Sequence, residues 1–313
     1  MPGACDGSRS ALTSRAYAGP DDLGALHDVA RAVWRRHKPH ALPHVGDITW
    51  DLYQHEPEVA RPRRTQIFER DGVPVAFGIL WLPQTLQSAV HPEHRDDAVY
   101  DALLEWFAAA AGEELDGGLD AQLLESDGTF RAALERHGYA PPPASAGWTE
   151  HCVRSLVEPI ERPPLPEGFR LRSIAGEADL ERRVEVHRAA WEPSKFTLPA
   201  YRFLRTLPPY REELDVVVEA PDGSFAAYAL AWIDEENGVG ELEPVGTHPE
   251  LERRGLGKAV CLEACRRLRE AGADTAIVYS VHGYHAGKLY EAVGFEALDR
   301  HLEYRRATPE FES

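Results

Sequence analysis

The stretch HPELERRGLGKAV, from His248 to Val260, decides the fold of this chain. It follows an apolar segment and leads into a helical pattern that continues to Glu270. Gly255 and Gly257 remove side chains where the backbone must approach a ligand. N–H groups at the start of a helix bind anions, and nearby cations add charge-assisted hydrogen bonds. The sequence therefore predicts a phosphate-binding loop, with charge supplied by Arg253, Arg254 and Lys258.

A related stretch, HPEHRDDAVYDAL, runs from His91 to Leu103 in the first half, 157 positions earlier (248 − 91). Gly255 and Gly257 correspond there to Ala98 and Tyr100, and the three cations correspond to Asp96, Asp97 and Asp101. An acidic loop repels a phosphate, and the tyrosine occupies the space that a close backbone contact would need. We therefore expect only the second half to bind phosphate.

The two halves share further segments in the same order. DGVPVAFGILW (71–81) resembles DGSFAAYALAW (222–232), and LERHGY (134–139) resembles YEAVGF (290–295). Self-similarity with so long a period indicates two domains of one fold. Tryptophans that recur in both halves are interpreted as shared core packing: Trp34, Trp81, Trp191 and Trp232.

The length of 313 residues and the hydrophobic content of 43% suit two globular domains. The predicted first domain covers residues 12–156 and the second covers 169–307, with a proline-rich linker at 157–168. In each domain the pattern gives a strand, two helices, three antiparallel strands, a helix, a strand, a helix and a strand. This order predicts an α+β fold, in which two tandem copies of a mixed, mostly antiparallel sheet are flanked by helices.

The composition narrows the class of protein. The formal net charge of −18 disfavours binding to nucleic acid or to an anionic membrane. No apolar run approaches the roughly 18 residues that span a membrane, and the N-terminal residues lack the pattern of a secretory signal. The four cysteines have no metal-ligand spacing, so we expect no metal site. These features are typical of a reduced, cytoplasmic protein and leave its oligomeric state open.

Two other nucleotide-binding motifs fit the loop poorly. Val260 stands where the dinucleotide fingerprint needs its third glycine, and the Gly-Lys-Ser/Thr of a phosphate-loop NTPase does not occur. The remaining alternative is a helix N-terminus with two turn glycines that binds nothing.

The order of strand, glycine loop, helix, strand and LYEAVGF (289–295) resembles the GNAT acyltransferase superfamily over about Phe169 to Arg306, and through the repeat in the first domain as well. The resemblance implies acetyl-CoA as co-substrate, with its pantetheine arm along Val245, Gly246 and Thr247. It also implies that the pyrophosphate binds the glycine loop, defined here as Arg253, Arg254, Gly255, Leu256, Gly257, Lys258 and Ala259. Glu252 departs from the family pattern, which has Gln or Arg there, so the adjacent Arg253 is expected to supply the charge.

The resemblance assigns an acid as well. Tyr290 stands four residues before Gly294, where the family has a tyrosine that protonates the leaving thiolate. The first domain has Leu134 at the matching position. The alternative for Tyr290 is a core tyrosine on an amphipathic helix.

Glu241 and Glu243, on the strand before the loop, are the candidate general bases. Alternation along a strand places both on the same face. Glu243 is preferred because it lies two residues before Val245, close to where the resemblance places the acetyl group. The first-domain counterparts, Gln84 and Leu86, cannot act as bases. A solvated strand carboxylate is the alternative interpretation.

Together these residues predict an N-acetyltransferase that acts on a small amine by direct transfer in its second domain, assisted by a backbone N–H near Val245. Two alternatives remain open: a non-catalytic CoA-binding or scaffold protein, and an aminoacyl-transferring relative that uses a charged tRNA. The strong negative charge and the glycine loop count against the second alternative.

Overall fold

The computed structural model describes residues 11–55, 64–81, 84–111 and 118–307. The first half contributes six strands and four helices: β1 (Leu12–Ala16), α1 (Leu23–His37), α2 (Val45–Tyr53), β2 (Thr65–Arg70), β3 (Val73–Trp81), β4 (Thr85–Val90), α3 (Asp97–Ala111), β5 (Leu119–Leu124), α4 (Gly128–Arg136) and β6 (Thr149–Ser155). The second half repeats this order: β7 (Arg170–Ser173), α5 (Leu180–Ala190), α6 (Leu198–Leu204), β8 (Asp215–Glu219), β9 (Phe225–Asp234), β10 (Val239–Thr247), α7 (Leu256–Glu270), β11 (Thr275–Val281), α8 (His285–Val293) and β12 (Glu296–Arg306).

The predicted α+β fold is confirmed, and the order of elements agrees in both halves. Only β4–β5 and β10–β11 pair in parallel; every other described pair of strands is antiparallel. None of the helices in the described ranges is long and apolar enough to cross a membrane.

The two halves share one twelve-stranded sheet among the described residues, in the order β1-β2-β3-β4-β5-β12-β6-β11-β10-β9-β8-β7. The last strand of each half pairs with strands of the other half. β6 lies between β11 and β12, whereas β12 lies between β5 and β6. The sequence repeat did not predict this exchange. The proposed division into 12–156 and 169–307 therefore cuts between strands that complete each other's sheets.

Apolar packing also joins the halves. One core cluster combines side chains of α1 and α2 with side chains of α5, α6 and β9, including the buried Trp50, Tyr53, Tyr201 and Trp232. A separate cluster lies under α7, where Val260, Ala264 and Leu268 form the buried face of the helix. Cys261 and Cys265 are buried in the same cluster, where they pack among apolar side chains.

Strands β10 and β11 separate beyond Glu241. They pair only over Val239–Glu241, whereas the pairing of β10 with β9 continues to Thr247. A register shift between Leu242 and Val245 interrupts β10, and Pro244 within it has no N–H to donate. Beyond Glu241 the edge of β10 that faces β11 is therefore open, and its backbone groups can bind something other than a strand.

Candidate active site

The glycine loop connects β10 to α7 through left-handed backbone. Arg253 has φ of 59° and Gly255 has φ of 80°, a region that favours glycine. A Cβ at Gly257 would lie 3.0 Å from Oγ1 of Thr247, so the first turn of α7 packs directly on the end of β10. The N-cap of α7 is Gly255, and no side chain caps the helix. The first N–H groups of α7 therefore remain available to an external anion.

The cations of the loop are also available. Arg253, Arg254 and Lys258 are exposed. Within the part of the chain that the structure describes, none of the three takes part in an ion pair. Free N–H groups and unpaired cations fit the pyrophosphate that the resemblance implies.

The corresponding loop of the first half is closed by its own side chains. The Asp96 carboxylate accepts a hydrogen bond from the Val99 backbone N–H at 3.2 Å, and it forms an ion pair with Arg70 at 2.8 Å. The Tyr100 hydroxyl accepts a hydrogen bond from Arg95 Nε at 2.7 Å. A carboxylate and a phenol thus occupy the places where the second half leaves free N–H groups and a glycine.

The segment Val245–Thr247 brings the strand and the glycine loop together. At Gly246 a Cβ would lie 2.6 Å from Cε1 of Tyr228 and 2.7 Å from Cβ of Ala190, so only glycine fits. The side chain of Thr247 lies beside Gly257, as described above. The open edge of this segment and the start of α7 form one continuous surface for an extended ligand with an anionic end.

Glu241 is held by the first half of the chain. It is 0% exposed, and its Oε2 accepts a hydrogen bond from the Asp47 backbone N–H at 2.9 Å. Oε2 also lies 3.0 Å from Nδ1 of His44, a residue that caps α2. These contacts bury Glu241 at the junction of the halves.

The contacts of His44 indicate that Glu241 carries a proton. His44 Nε2 lies 3.2 Å from the Val239 carbonyl oxygen, which can only accept, so Nε2 donates. Burial lowers the pKa of His44, so the ring is neutral and its Nδ1 is an acceptor; the Gly46 N–H donates to it. Glu241 can share Nδ1 favourably only as the protonated acid. Burial raises the pKa of Glu241 to about 8, which agrees with this assignment.

Glu243 lies on the same face of β10 but opens into space. It lines a cavity of about 670 Å³ between the halves. Burial and the neighbouring carboxyls of Asp47 and Asp51 raise the pKa of Glu243 to about 8. A carboxyl with this pKa and a free approach from a cavity suits a general base. The structure therefore separates the two sequence candidates, with Glu241 locked and Glu243 accessible.

Tyr290 lies on α8 and is 8% exposed. Its ring packs against Phe295 in the same cluster as Cys261. Burial raises the pKa of the phenol well above its usual range, and the nearby Cys261 and Glu243 raise it further. The hydroxyl therefore keeps its proton at neutral pH. Both sequence interpretations, a core residue and a proton donor, fit this position.

The cavity has aromatic walls that the sequence did not predict. Trp34 and Trp232 are buried core residues, as expected. Trp191, however, is 50% exposed and lines the cavity with Trp81, so its interpretation as a core residue is wrong. The repeat shows which positions of the two halves are equivalent, whereas the cavity depends on how the halves pack against each other. The sequence pattern of one half therefore cannot predict which side chains line the cavity.

His187 is a further cavity residue that the sequence did not indicate. Its Nδ1 lies 2.8 Å from the Tyr228 hydroxyl. Burial and the charge of Arg183 lower the pKa of His187 to about 3, so the ring is neutral. One hydrogen bond joins this neutral ring to the Tyr228 hydroxyl, and its direction depends on which ring nitrogen carries the proton.

Comparisons with known proteins identify the family of the chain. The Acetyltransferase (GNAT) family matches residues 182–295. A mycothiol acetyltransferase of Kineococcus radiotolerans is 30% identical over 231 residues, covering 69% of this chain and 70% of that protein. The mycothiol acetyltransferase of Saccharomonospora viridis is 28% identical over 241 residues, covering 72% and 75% respectively.

Two solved structures share the complete fold. A GCN5-related N-acetyltransferase from Sphaerobacter thermophilus superposes with a TM-score of 0.62 at 18% identity, covering 95% of each chain. A tandem GNAT protein from the clavulanic acid biosynthesis pathway gives a TM-score of 0.64 at 17% identity, covering 95% of this chain and 98% of that one. The chain described here therefore belongs to the GNAT family and is an N-acetyltransferase built from a tandem repeat.

Proposed function

We propose that this chain transfers an acetyl group from acetyl-CoA to a small amine, and that the reaction takes place on its second half. One observation carries the proposal: the open glycine loop, the open edge of β10 and the accessible Glu243 adjoin one another in the second half. In the first half, Asp96 and Tyr100 close the corresponding loop. The two relatives, named for acetylation of a small molecule, support a small acceptor here.

The residues that would hold acetyl-CoA follow from the site. Arg253, Arg254 and Lys258, with the first N–H groups of α7, would neutralise the pyrophosphate. The backbone of Val245–Thr247 that faces away from β9 would bind the amide groups of the pantetheine arm. Acetyl-CoA supplies the acetyl group as a thioester, which is activated toward an amine.

Three groups of the protein would then take part in the transfer of the acetyl group. Ionised Glu243 takes a proton from the acceptor's ammonium group, which frees the amine to attack. A backbone N–H near Val245 donates a hydrogen bond to the thioester oxygen as negative charge develops on it. Tyr290 holds a proton on its hydroxyl oxygen and gives it to the departing sulfur. The carbon–nitrogen bond forms as the carbon–sulfur bond breaks, and the attacking nitrogen, now part of an amide, loses its second proton to solvent. Solvent then takes the proton from Glu243 and returns one to Tyr290.

Calorimetric titration with acetyl-CoA tests where the donor binds. We expect one site per chain in the wild type and none in Gly257→Tyr, which introduces the residue of the first-half loop. Arg254→Ala should weaken binding about tenfold or more, because it removes a charge-assisted contact of about 1.5–3 kcal/mol. Its matched control, Asp97→Ala at the equivalent first-half position, should leave the affinity unchanged. Two sites in the wild type, or weaker binding in Asp97→Ala, would show that the first half binds the donor.

A further inference from the structure

The cavity between the halves, which contains Glu243, is lined by charges of both signs. Asp51 and Glu243 supply carboxyl groups, while Arg64 and Lys195 supply cations. We propose that the acceptor is a zwitterion, namely a primary amine that carries a carboxylate or phosphate group at its other end. This inference rests on the acetyltransferase function proposed above.

The acidic side of the cavity is suited to the ammonium group. Asp47 and Asp51 lie one turn apart on α2 and act on Glu243 across the junction. One oxygen of Asp51 accepts a hydrogen bond from Gln87 Nε2 at 2.8 Å. Burial raises the pKa of all three carboxyls, and the charge of Asp47 raises the pKa values of Asp51 and Glu243 further. An incoming ammonium group would lower these pKa values and favour the ionised carboxylates.

Arg64 and Lys195 supply the cationic part of the lining. Lys195 is close enough to His55 to lower the pKa of that ring. The amine and the anionic group of one acceptor can therefore contact different parts of the same cavity.

Both cations lack a partner within the described ranges of the chain. Arg64 is half-buried and Lys195 is exposed, and neither takes part in an ion pair there. The chain has 52 acidic and 34 basic residues, so carboxylates are abundant. Arg64 belongs to the first half and Lys195 to the second. Two unpaired cations that meet at one cavity from different halves form a site for a carboxylate or phosphate.

The walls of the cavity fit the carbon chain of such an acceptor. Trp50, Trp81 and Trp191 provide apolar surface beside the charged groups. They also provide a signal, because a ligand that enters the cavity changes the environment of three indole rings.

The test is a binding measurement that does not depend on turnover. Tryptophan fluorescence is titrated with 6-aminohexanoate, 6-aminohexyl phosphate, hexylamine and 1,6-diaminohexane, in the presence of CoA. We expect at least one of the two anionic probes to bind about tenfold or more tightly than hexylamine, and the diamine to bind weakest. The stronger of the two anionic probes identifies the anionic group as carboxylate or phosphate.

Charge reversal provides the matched comparison. Lys195→Glu should reduce the preference for the anionic probe at least tenfold and favour the diamine. Arg36→Glu reverses a cation that does not line this cavity and has no ion pair with any other described residue, and it should change neither affinity. Equal affinities for all four probes, no binding of any of them, or a preference that Lys195→Glu leaves unchanged would overturn the inference. Failure of the proposed function is recognised separately, as absence of acetyl-CoA binding or of acetylated product.

Discussion

Replacement of Glu243 by glutamine removes the proposed base with little change in size. The pKa of about 8 sets the expected pH dependence. Only ionised Glu243 can accept a proton, so about a tenth of the enzyme is competent at pH 7 and about a hundredth at pH 6. Wild-type kcat/KM should therefore rise about tenfold per pH unit up to about pH 8 and level off above it.

The loss of rate in Glu243→Gln, relative to the wild type, should also depend on pH. A general base contributes typically about 100- to 10,000-fold to the rate, and this full factor is lost only where the base is ionised. At pH 9 the variant should be slower by that factor. At pH 7, where the wild type is about one-tenth active, the difference should be about tenfold smaller. A steady-state assay of CoA release between pH 6 and 9 measures both effects.

Glu241→Gln is the matched control, because Glu241 lies on the same strand and has the same raised pKa of about 8. A pH profile of the wild type alone cannot assign the titrating group. Glu243→Gln should abolish the ascending limb, whereas Glu241→Gln should retain it. The assignment is refuted if Glu243→Gln keeps the limb, or if Glu241→Gln is the variant that loses it.

Two further predictions concern neighbouring groups. Tyr290→Phe should lower kcat while the affinity for acetyl-CoA in calorimetry stays unchanged; weaker binding with normal kcat would contradict the role as acid. Glu241→Gln should gain stability relative to the wild type as the pH rises from about 5 to 8. Folded Glu241 holds a proton that the unfolded chain releases above about pH 4.5, so the wild type loses up to about 1.4 kcal/mol per pH unit in that window. Urea denaturation of both proteins at pH 5.5 and 7.5 measures the difference, and a constant difference would contradict the protonated state.

Local chemistry allowed much of this site to be predicted from the sequence. Gly255 has left-handed backbone that few residue types adopt, and a Cβ at Gly257 would lie 3.0 Å from Oγ1 of Thr247. Both requirements are local, so the two glycines could be recognised from the sequence. The order of strands and helices follows from hydrophobic periodicity within short segments. The choice between Glu241 and Glu243 could not be settled in the same way. Alternation puts both on one face, and only α2, which lies nearly 200 residues away in the chain, distinguishes the locked carboxyl from the accessible one.

The exchanged strands could not be predicted for a related physical reason. The sequences of β6 and β12 specify which residues share a face of the strand, but they do not specify which strand lies beside it. The exposed Trp191 depends on the same long-range arrangement. The sequence repeat therefore predicts the fold of each half, but it does not predict the shared sheet or the cavity that form where the halves meet.

The exchange predicts that the second half cannot function alone. A segment that begins at residue 157 lacks β6, so β11 and β12 each lose a partner strand and their backbone N–H and C=O groups become unpaired. It also exposes Trp232 and Tyr201 of the shared core. We expect this segment to aggregate and to bind acetyl-CoA at least tenfold more weakly than the whole chain. A segment that begins at residue 146 keeps β6 and should be the more soluble of the two, by circular dichroism and thermal melting. Cooperative melting and full acetyl-CoA affinity in the shorter segment would show that the strand exchange is dispensable, because the second half would then complete its own sheet.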